Sequence, residues 1–351
     1  MSPVGLRGGR ASGPGDRAPW ASPRRGLPGI AVAGLTAGTS GVSVFVNGYG
    51  VHAIRSAAVY TTAKNLVATL VLVLLALGAR SWARRRPSPT GAPVGRAESS
   101  SPQASAGGGM RPHRLLRWMG LAYVGIVGGG VAFVLFFDGL ADSSATPAAF
   151  WHDTLVVWVA VLAVPVLGER PRWWNGAAIV VLVAGQAAMA GGVGQLRADR
   201  GELLVLSATV LWALEVVVAK VLLRDIAPAV LAVVRMGVGA VTLLVYLGGA
   251  GLMGELVSLD LRQAGWALLT GLLLAVYVGT WMTALSRARA VDVSSVLVGG
   301  ALVTALLQAM AGSAPLASGV VGLVLIALGT STVVAACWRN ETVRDTGGLT
   351  P

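Results

Sequence analysis

Six ionisable side chains stand in or beside stretches of this sequence that are otherwise apolar: Lys64, Asp138, His152, Asp153, Glu215 and Arg235. The stretch from Ala141 to Glu169, ADSSATPAAFWHDTLVVWVAVLAVPVLGE, is long and apolar enough to cross a bilayer as a helix, yet it carries His152 and Asp153 near its middle. An ionised side chain at such depth costs about 2.5 to 3.5 kcal/mol on insertion scales, so it faces a protein interior or a water-filled cavity and not lipid. Two kinds of chemistry suit residues placed this way. The cations Lys64 and Arg235 can hold an anionic or zwitterionic solute, and the carboxylates Asp153 and Glu215 can exchange a proton. Lys64, Asp153, Glu215 and Arg235 each lie about eight to twelve residues into their apolar runs, near mid-depth at about 1.5 Å of rise per residue. That placement predicts that the four converge.

Static roles compete with these. Lys64 and Arg235 could be pinned by carboxylates or carbonyls and hold two parts of the chain in register, or could snorkel toward headgroups. Arg235 shares a helical face with Gly239 and Thr242, and Lys64 one with Tyr60 and Thr61, so both faces are small or polar and favour a cavity. Glu215, on one face with Trp212 and Ala219, suits proton exchange in an apolar setting and a fixed ion pair if it meets Arg235. Asp153 is the stronger proton carrier because no basic residue is close in sequence, although Lys64 could meet it in space. His152 points about 100° away from Asp153 around a helix, as a packed, hydrogen-bonded histidine would. Trp151, Trp158, Trp212, Tyr277 and Trp281 either line a solute path or pack between helices. The candidate solute-binding residues are therefore Lys64, Arg235, Tyr60, Trp212 and Trp281, and the candidate proton-coupling residues are Asp153, Glu215 and His152.

The elements that must position these residues follow from composition. Of 351 residues, 55% are hydrophobic and only 12% charged, and the mean hydropathy is +0.72, which excludes an ordinary soluble domain and defines an all-α membrane protein. Apolar runs of spanning length number ten, approximately 29–49, 57–77, 116–137, 146–166, 174–192, 203–223, 226–249, 264–285, 291–312 and 318–337. A net charge of +12 would suggest nucleic acid, but most arginines lie in short segments between apolar runs, where they set orientation. With the N-terminus cytoplasmic, Lys and Arg divide 21 to 4 in favour of cytoplasmic segments, with Lys64 and Arg235 inside spans. A multi-pass protein of the cell membrane with both termini cytoplasmic is expected, with no nucleic acid partner. Trp173, Trp174 and Trp338 fall at expected interfaces. Cys337 is the only cysteine, so an intrachain disulfide is excluded.

Residues 1–28 are rich in Gly, Pro, Ser and Arg and read as a disordered cytoplasmic tail. The segment 81–112 is low in complexity and reads as a flexible cytoplasmic linker, its Arg84 to Arg86 cluster a topology determinant or a lipid contact. Residues 338–351 read as a second tail. Between them the chain repeats. Lys64 aligns with Arg235 at an offset of 171 and Ser40 with Trp212 at 172, whereas Leu140 aligns with Leu285 at 145 and Gly185 with Gly329 at 144. The drop of about 26 matches an insertion of the linker in the first half. Five spans repeated once place the halves, 29–192 and 203–337, in opposite orientations, the inverted repeat of many secondary transporters, with a site near the midplane between halves. Gly128-Gly129-Gly130 in the third span and Gly299-Gly300 in the ninth allow close helix approach or bending.

The sequence WALEVVVAKVLLRD from Trp212 to Asp225, the Leu167-Gly168-Glu169 ending of the fourth span and the two-half plan resemble the EamA-type branch of the drug/metabolite transporter superfamily. The resemblance covers nearly all of the chain apart from the tails and linker. It implies a carrier of small metabolites, amino acids or drugs, often an exporter, in the cytoplasmic membrane. The second half departs from the pattern at Gly312-Ser313-Ala314-Pro315, and Glu215 stands where relatives often hold a neutral polar residue. No Walker lysine motif, His/Cys metal spacing or G-x-S-x-G elbow is present, so neither an enzyme nor a cofactor or metal site is expected. A secondary transporter with a small-molecule substrate, the lipid bilayer and protons as its partners is the leading reading. A channel or lipid-handling membrane protein comes second and a membrane scaffold or receptor third.

Overall fold

A chain whose surroundings hold no hydrogen-bonding solvent must satisfy its backbone internally, and apolar runs of about 20 residues do so as helices. The computed structural model describes residues 29–54, 56–85, 112–142, 145–169, 173–189, 192, 199–312 and 319–346. The elements are α1 (Gly29–Ala53), α2 (Ala57–Arg85), α3 (Pro112–Ala122), a π-helical segment (Tyr123–Val131), α4 (Ala132–Asp142), α5 (Ala145–Asp153), α6 (Leu155–Leu167), α7 (Trp173–Met189), α8 (Arg200–Leu222), α9 (Pro228–Gly249), α10 (Met253–Val257), α11 (Leu261–Arg287), α12 (Ala290–Val298), α13 (Gly300–Met310) and α14 (Val320–Thr346). No strand occurs among the described residues.

Among the described residues, nine stretches are long and apolar enough to cross a membrane, from Gly29–Ala53 through Val320–Arg339. The third is α3, the π segment and α4 end to end, the fourth is divided into α5 and α6 at Thr154, and the eighth is divided into α12 and α13 at Gly299. The remaining run, α7, has 17 residues, about 26 Å at 1.5 Å per residue. Helix also extends beyond two expected boundaries: α2 continues to Arg85 into the expected linker, and α14 continues past Cys337 to Thr346 into the expected tail. Apolar content alone ended those helices too early, because a helix can continue past the hydrocarbon on polar, helix-forming residues such as Arg80, Arg339 and Glu341. The expected N-terminal tail, linker residues 86–111 and residues 347–351 lie outside the described residues, as do the side chains of Arg84 to Arg86.

The helices of the two halves interleave. The most extensive pairings all cross between halves: α1 with α11, α7 with α14, α4 with α8, α2 with α11, the π segment with α9, and α2 with α9. Exchanging the halves turns α1 on α11 into α8 on α4, and α2 on α11 into α9 on the π segment; α2 on α9 and α7 on α14 map onto themselves. The correspondence reaches single residues. A Cβ on Gly185 would lie 2.8 Å from Ile326 and 2.9 Å from the Gly322 carbonyl, and one on Gly329 would lie 2.7 Å from Leu182 and 3.2 Å from the Ala178 carbonyl. Gly185 and Gly329, Leu182 and Ile326, and Ala178 and Gly322 are each 144 residues apart, so one contact is the image of the other. Likewise the Arg235 carbonyl packs on Gly129, and the Lys64 carbonyl packs on Gly271. The side of the bundle where α1 begins is called the near face here, and the side where it ends the far face.

Small residues let these backbones approach without a hydrophobic drive between helices. Gly239 packs backbone to backbone on Gly129, so any Cβ would overlap its carbonyl, whereas Gly34 has nothing within 4 Å of a Cβ. Gly239→Ala is expected to lower stability by about 1 to 3 kcal/mol, the usual cost of overpacking, and Gly34→Ala to be neutral or slightly stabilising. Unfolding midpoints in detergent micelles check both.

Candidate functional site

The buried polar residues gather where the interleaved helices cross. Arg235 on α9 reaches Glu215 on α8 with two prongs, Nε to Oε1 at 2.5 Å and Nη2 to Oε2 at 3.1 Å, and both side chains are buried, 5% and 0% exposed. The pair is possible because of the third span. There the π-helical segment carries Gly128 to Gly130, and a Cβ on Gly128 would overlap the Glu215 carboxylate. The Gly128 carbonyl accepts a hydrogen bond from Trp212 Nε1 at 3.0 Å and lies 3.5 Å from Arg235 Nη2. Widened turns of this kind recur at functional positions because they displace carbonyls from the regular ladder.

Against this pair stands an aromatic cluster drawn from both halves. Phe133, Phe136 and Phe137 occupy one face of α4 by their spacing. Phe133 and Phe136 pack on Trp212 at centroid distances of 5.2 and 5.4 Å, and His152 lies 5.4 Å from both Phe136 and Trp212. The Arg235 guanidinium carbon sits 5.8 Å from the Phe133 ring and 5.4 Å from Trp281; Trp281 stacks on Tyr277 at 6.2 Å. At the other end Lys64 Nζ lies 5.7 Å from the Phe137 ring and 5.1 Å from Tyr60, and it donates to Asn47 Oδ1 at 3.2 Å. Phe133, Phe136, Phe137, His152, Asp153 and Asn47 remain partly exposed. These six side chains are therefore not sealed in the core.

The expected four-charge convergence takes a different form. Glu215 and Arg235 form an ion pair, Lys64 meets neutral groups, and Asp153 meets His152, whose Nδ1 lies 3.5 Å from Asp153 Oδ1. His152 thus approaches Asp153 more closely than a 100° helical separation suggests. Tyr60, Trp212 and Trp281 are buried; the Tyr60 hydroxyl donates to Asn47 Oδ1 at 2.6 Å. Asp138 is exposed. Trp151 leaves the cluster to donate to Glu202 at 2.7 Å, and Trp158 donates to Thr154 Oγ1 at 3.3 Å.

Sequence reasoning passed over the three phenylalanines, Asn47 and the buried Glu202 and Asp292. The i, i+3, i+4 spacing of Phe133, Phe136 and Phe137 was a usable signal.

A second polar group lies at the near face. Gly168, in the left-handed conformation at φ 66°, ends α6 and turns Glu169 toward α12. The Glu169 carboxylate accepts from the backbone N–H groups of Ala290 at 2.9 Å and Val291 at 3.4 Å, which open α12. Lys220 Nζ donates to the Leu285 and Ala288 carbonyls, each at 2.5 Å, at the end of α11. Asn175 Nδ2 donates to Asp292 Oδ1 at 3.0 Å. A carboxylate at a helix start and an ammonium at a helix end satisfy orphan backbone groups and suit the helix dipole. Glu169 and Asn175 belong to the first half, and the groups they hold belong to the second.

A helical membrane protein of two interleaved, equivalent halves around a polar and aromatic crossing point is the class that fold and site define. The EamA-like transporter family matches residues 103–190 and 199–335, more than half of the chain, and the protein belongs to that family. A solved crystal structure is similar over 89% of this chain and 99% of its own, with a TM-score of 0.64 at 15% identity; that likeness is one of fold. No curated protein matches the sequence.

Breaking a buried ion pair from one side leaves a charge without compensation, at about 3 to 5 kcal/mol. Glu215→Gln and Arg235→Gln should each lose that order of stability in detergent unfolding, while the Glu215→Leu, Arg235→Met double variant should lose much less than their sum. Asp153→Asn, at a partly exposed site, should stay within about 0.5 kcal/mol of wild type.

Proposed function

We propose that this chain is a secondary transporter that moves a small metabolite, an amino acid, drug or related compound, across the cytoplasmic membrane by alternating access. The observation that carries this reading is the pairing of an accessible aromatic and charged site, built by both halves, with a closure at one face that is also shared between halves. Rocking one half against the other would exchange which face is closed. In this reading α7 completes ten spans, the halves 29–192 and 203–337 are inverted repeats, and both termini are cytoplasmic, so the near face is the cytoplasmic one. Tyr60, Lys64, Trp212 and Trp281 surround the solute, and Arg235 with Glu215 fixes the wall behind it. Asp153, partly exposed beside His152, exchanges the proton; Glu215 is held by Arg235.

Reporter fusions after Gly192 and Gly254 should report the external side, and fusions after Arg96 and Arg170 the cytoplasmic side; reversal at two of the four overturns the orientation. Metabolites inside and outside overexpressing and deleted cells, compared with untargeted detection, supply candidates for liposome assays, in which flux should saturate and show counterflow. Asp153→Asn should retain fold and flux while losing its pH dependence. Transport that stays equally pH-dependent in this variant removes Asp153 from coupling, and flux that neither saturates nor counterflows removes the carrier reading in favour of a channel.

A further inference from the structure

The two halves match in backbone and differ in charge. Lys64 and Arg235 hold equivalent places, each with its carbonyl against a glycine of the other half, Gly271 and Gly129. Arg235 is neutralised by Glu215. At the offset of 172 that aligns Ser40 with Trp212, the counterpart of Glu215 is Ser43. Ser43 carries no charge, and the groups that replace the carboxylate are neutral: Asn47 Nδ2 donates to the Ser43 carbonyl at 2.7 Å, and Asn47 Oδ1 accepts from Tyr60 and Lys64. Lys64 is 7% exposed, and no carboxylate lies within ion-pair distance of it among the described residues. On the same helix, beside it, Thr61 Oγ1 and Asn65 Oδ1 are buried without a hydrogen-bond partner.

We infer that Lys64 is the anion subsite of the carrier and that the substrate is a monocarboxylate with an apolar body, free amino acids included. The inference rests on the reading of this cluster as the substrate site. A buried ammonium with one neutral acceptor has two N–H groups left to give, and a charge within the membrane needs a partner. A single carboxylate supplies both needs. Arg235 takes no part in binding charge, because the Glu215 carboxylate already neutralises it, so a dianion would bring one charge more than the site offers. The apolar body packs on the partly exposed faces of Phe133, Phe136 and Phe137, next to Trp212. Ring faces beside Lys64 favour the cation without competing for its hydrogen bonds.

The test uses the full chain purified in detergent, with thermal unfolding as the readout. The probes are 3-phenylpropionate, 4-methylpentanoate and L-phenylalanine, with phenethylamine and 3-phenylpropanol as the amine and neutral counterparts. Wild type should be protected by at least one of the three carboxylates and not by the amine or alcohol. Ser43→Glu, which restores the missing carboxylate beside Lys64, and Lys64→Gln should each weaken that protection about thirtyfold or more, the scale for truncating one partner of a buried charge pair. Ser43→Glu keeps Lys64 in place, so it remains informative if Lys64→Gln does not fold. Protection by none of the three carboxylates, protection by the amine or alcohol equal to theirs, or carboxylate protection unchanged in Ser43→Glu overturns the inference. Liposome flux separates the two readings. Lys64-dependent carboxylate binding without saturable flux keeps the subsite and removes the transporter; saturable flux of amines or neutral solutes that survives Ser43→Glu does the reverse.

Discussion

Charge inside hydrocarbon has to be neutralised, and the Arg235 and Glu215 pair is where this fold meets that constraint most completely. The pair lies between α8 and α9, and a third element has to lie within backbone contact for it to be enclosed. That element is the π-helical segment, whose Gly128 leaves room for the carboxylate and whose Gly129 lets α9 approach backbone to backbone. Trp212 then closes the arrangement by donating to the carbonyl that Gly128 presents. Remove the small side chains and the ion pair loses its enclosure; remove the ion pair and the close helix crossing encloses an unpaired charge. The two requirements fix each other.

The same backbone plan is used twice and furnished differently each time. On the near face Glu169 and Lys220 hold the short α11 to α12 connection. Their counterparts by the repeat offsets are Ser313 or Ala314 and Gly48, none of them charged. The far face is held by other residues, Trp151 donating to Glu202 and Arg200 meeting Asp142, and the cluster around Phe137, Lys64 and Asn47 lies toward the far ends of its helices. The proposed movement between two states would draw on the shared near-face connection, the partly exposed aromatic cluster and the two halves related by exchange, because packed elements have discrete arrangements and not a continuum.

The broad architecture was legible in the sequence because a bilayer leaves few options. Apolar runs of a fixed length must be helices, and the paired offsets for Lys64 with Arg235 and Gly185 with Gly329 revealed the repeat. Burial of Lys64, Glu215 and Arg235 followed from the same cost argument. Partner choice did not follow, because 1.5 Å of rise per residue gives depth along a helix and says little about which helix lies opposite. Hence Glu215 and Arg235 met while Asp153 and Lys64 did not. The division between α5 and α6 at Thr154 was hidden as well, since Asp153-Thr154 lies in a run that reads as one helix. Glu169 was visible as part of a motif, but its task of opening α12 across the two halves needed the third dimension.

The central claim is that the site faces one side at a time and that the near-face closure sets which. It is tested most directly by the side from which a single thiol at the site can be reached. Phe137→Cys, in a Cys337→Ser background, would be labelled with a membrane-impermeant thiol reagent in right-side-out and inside-out vesicles. The account predicts labelling from the far face, and with Glu169→Gln added, new labelling from the near face together with slower labelling from the far face. Labelling whose side and rate are untouched by Glu169→Gln would contradict it.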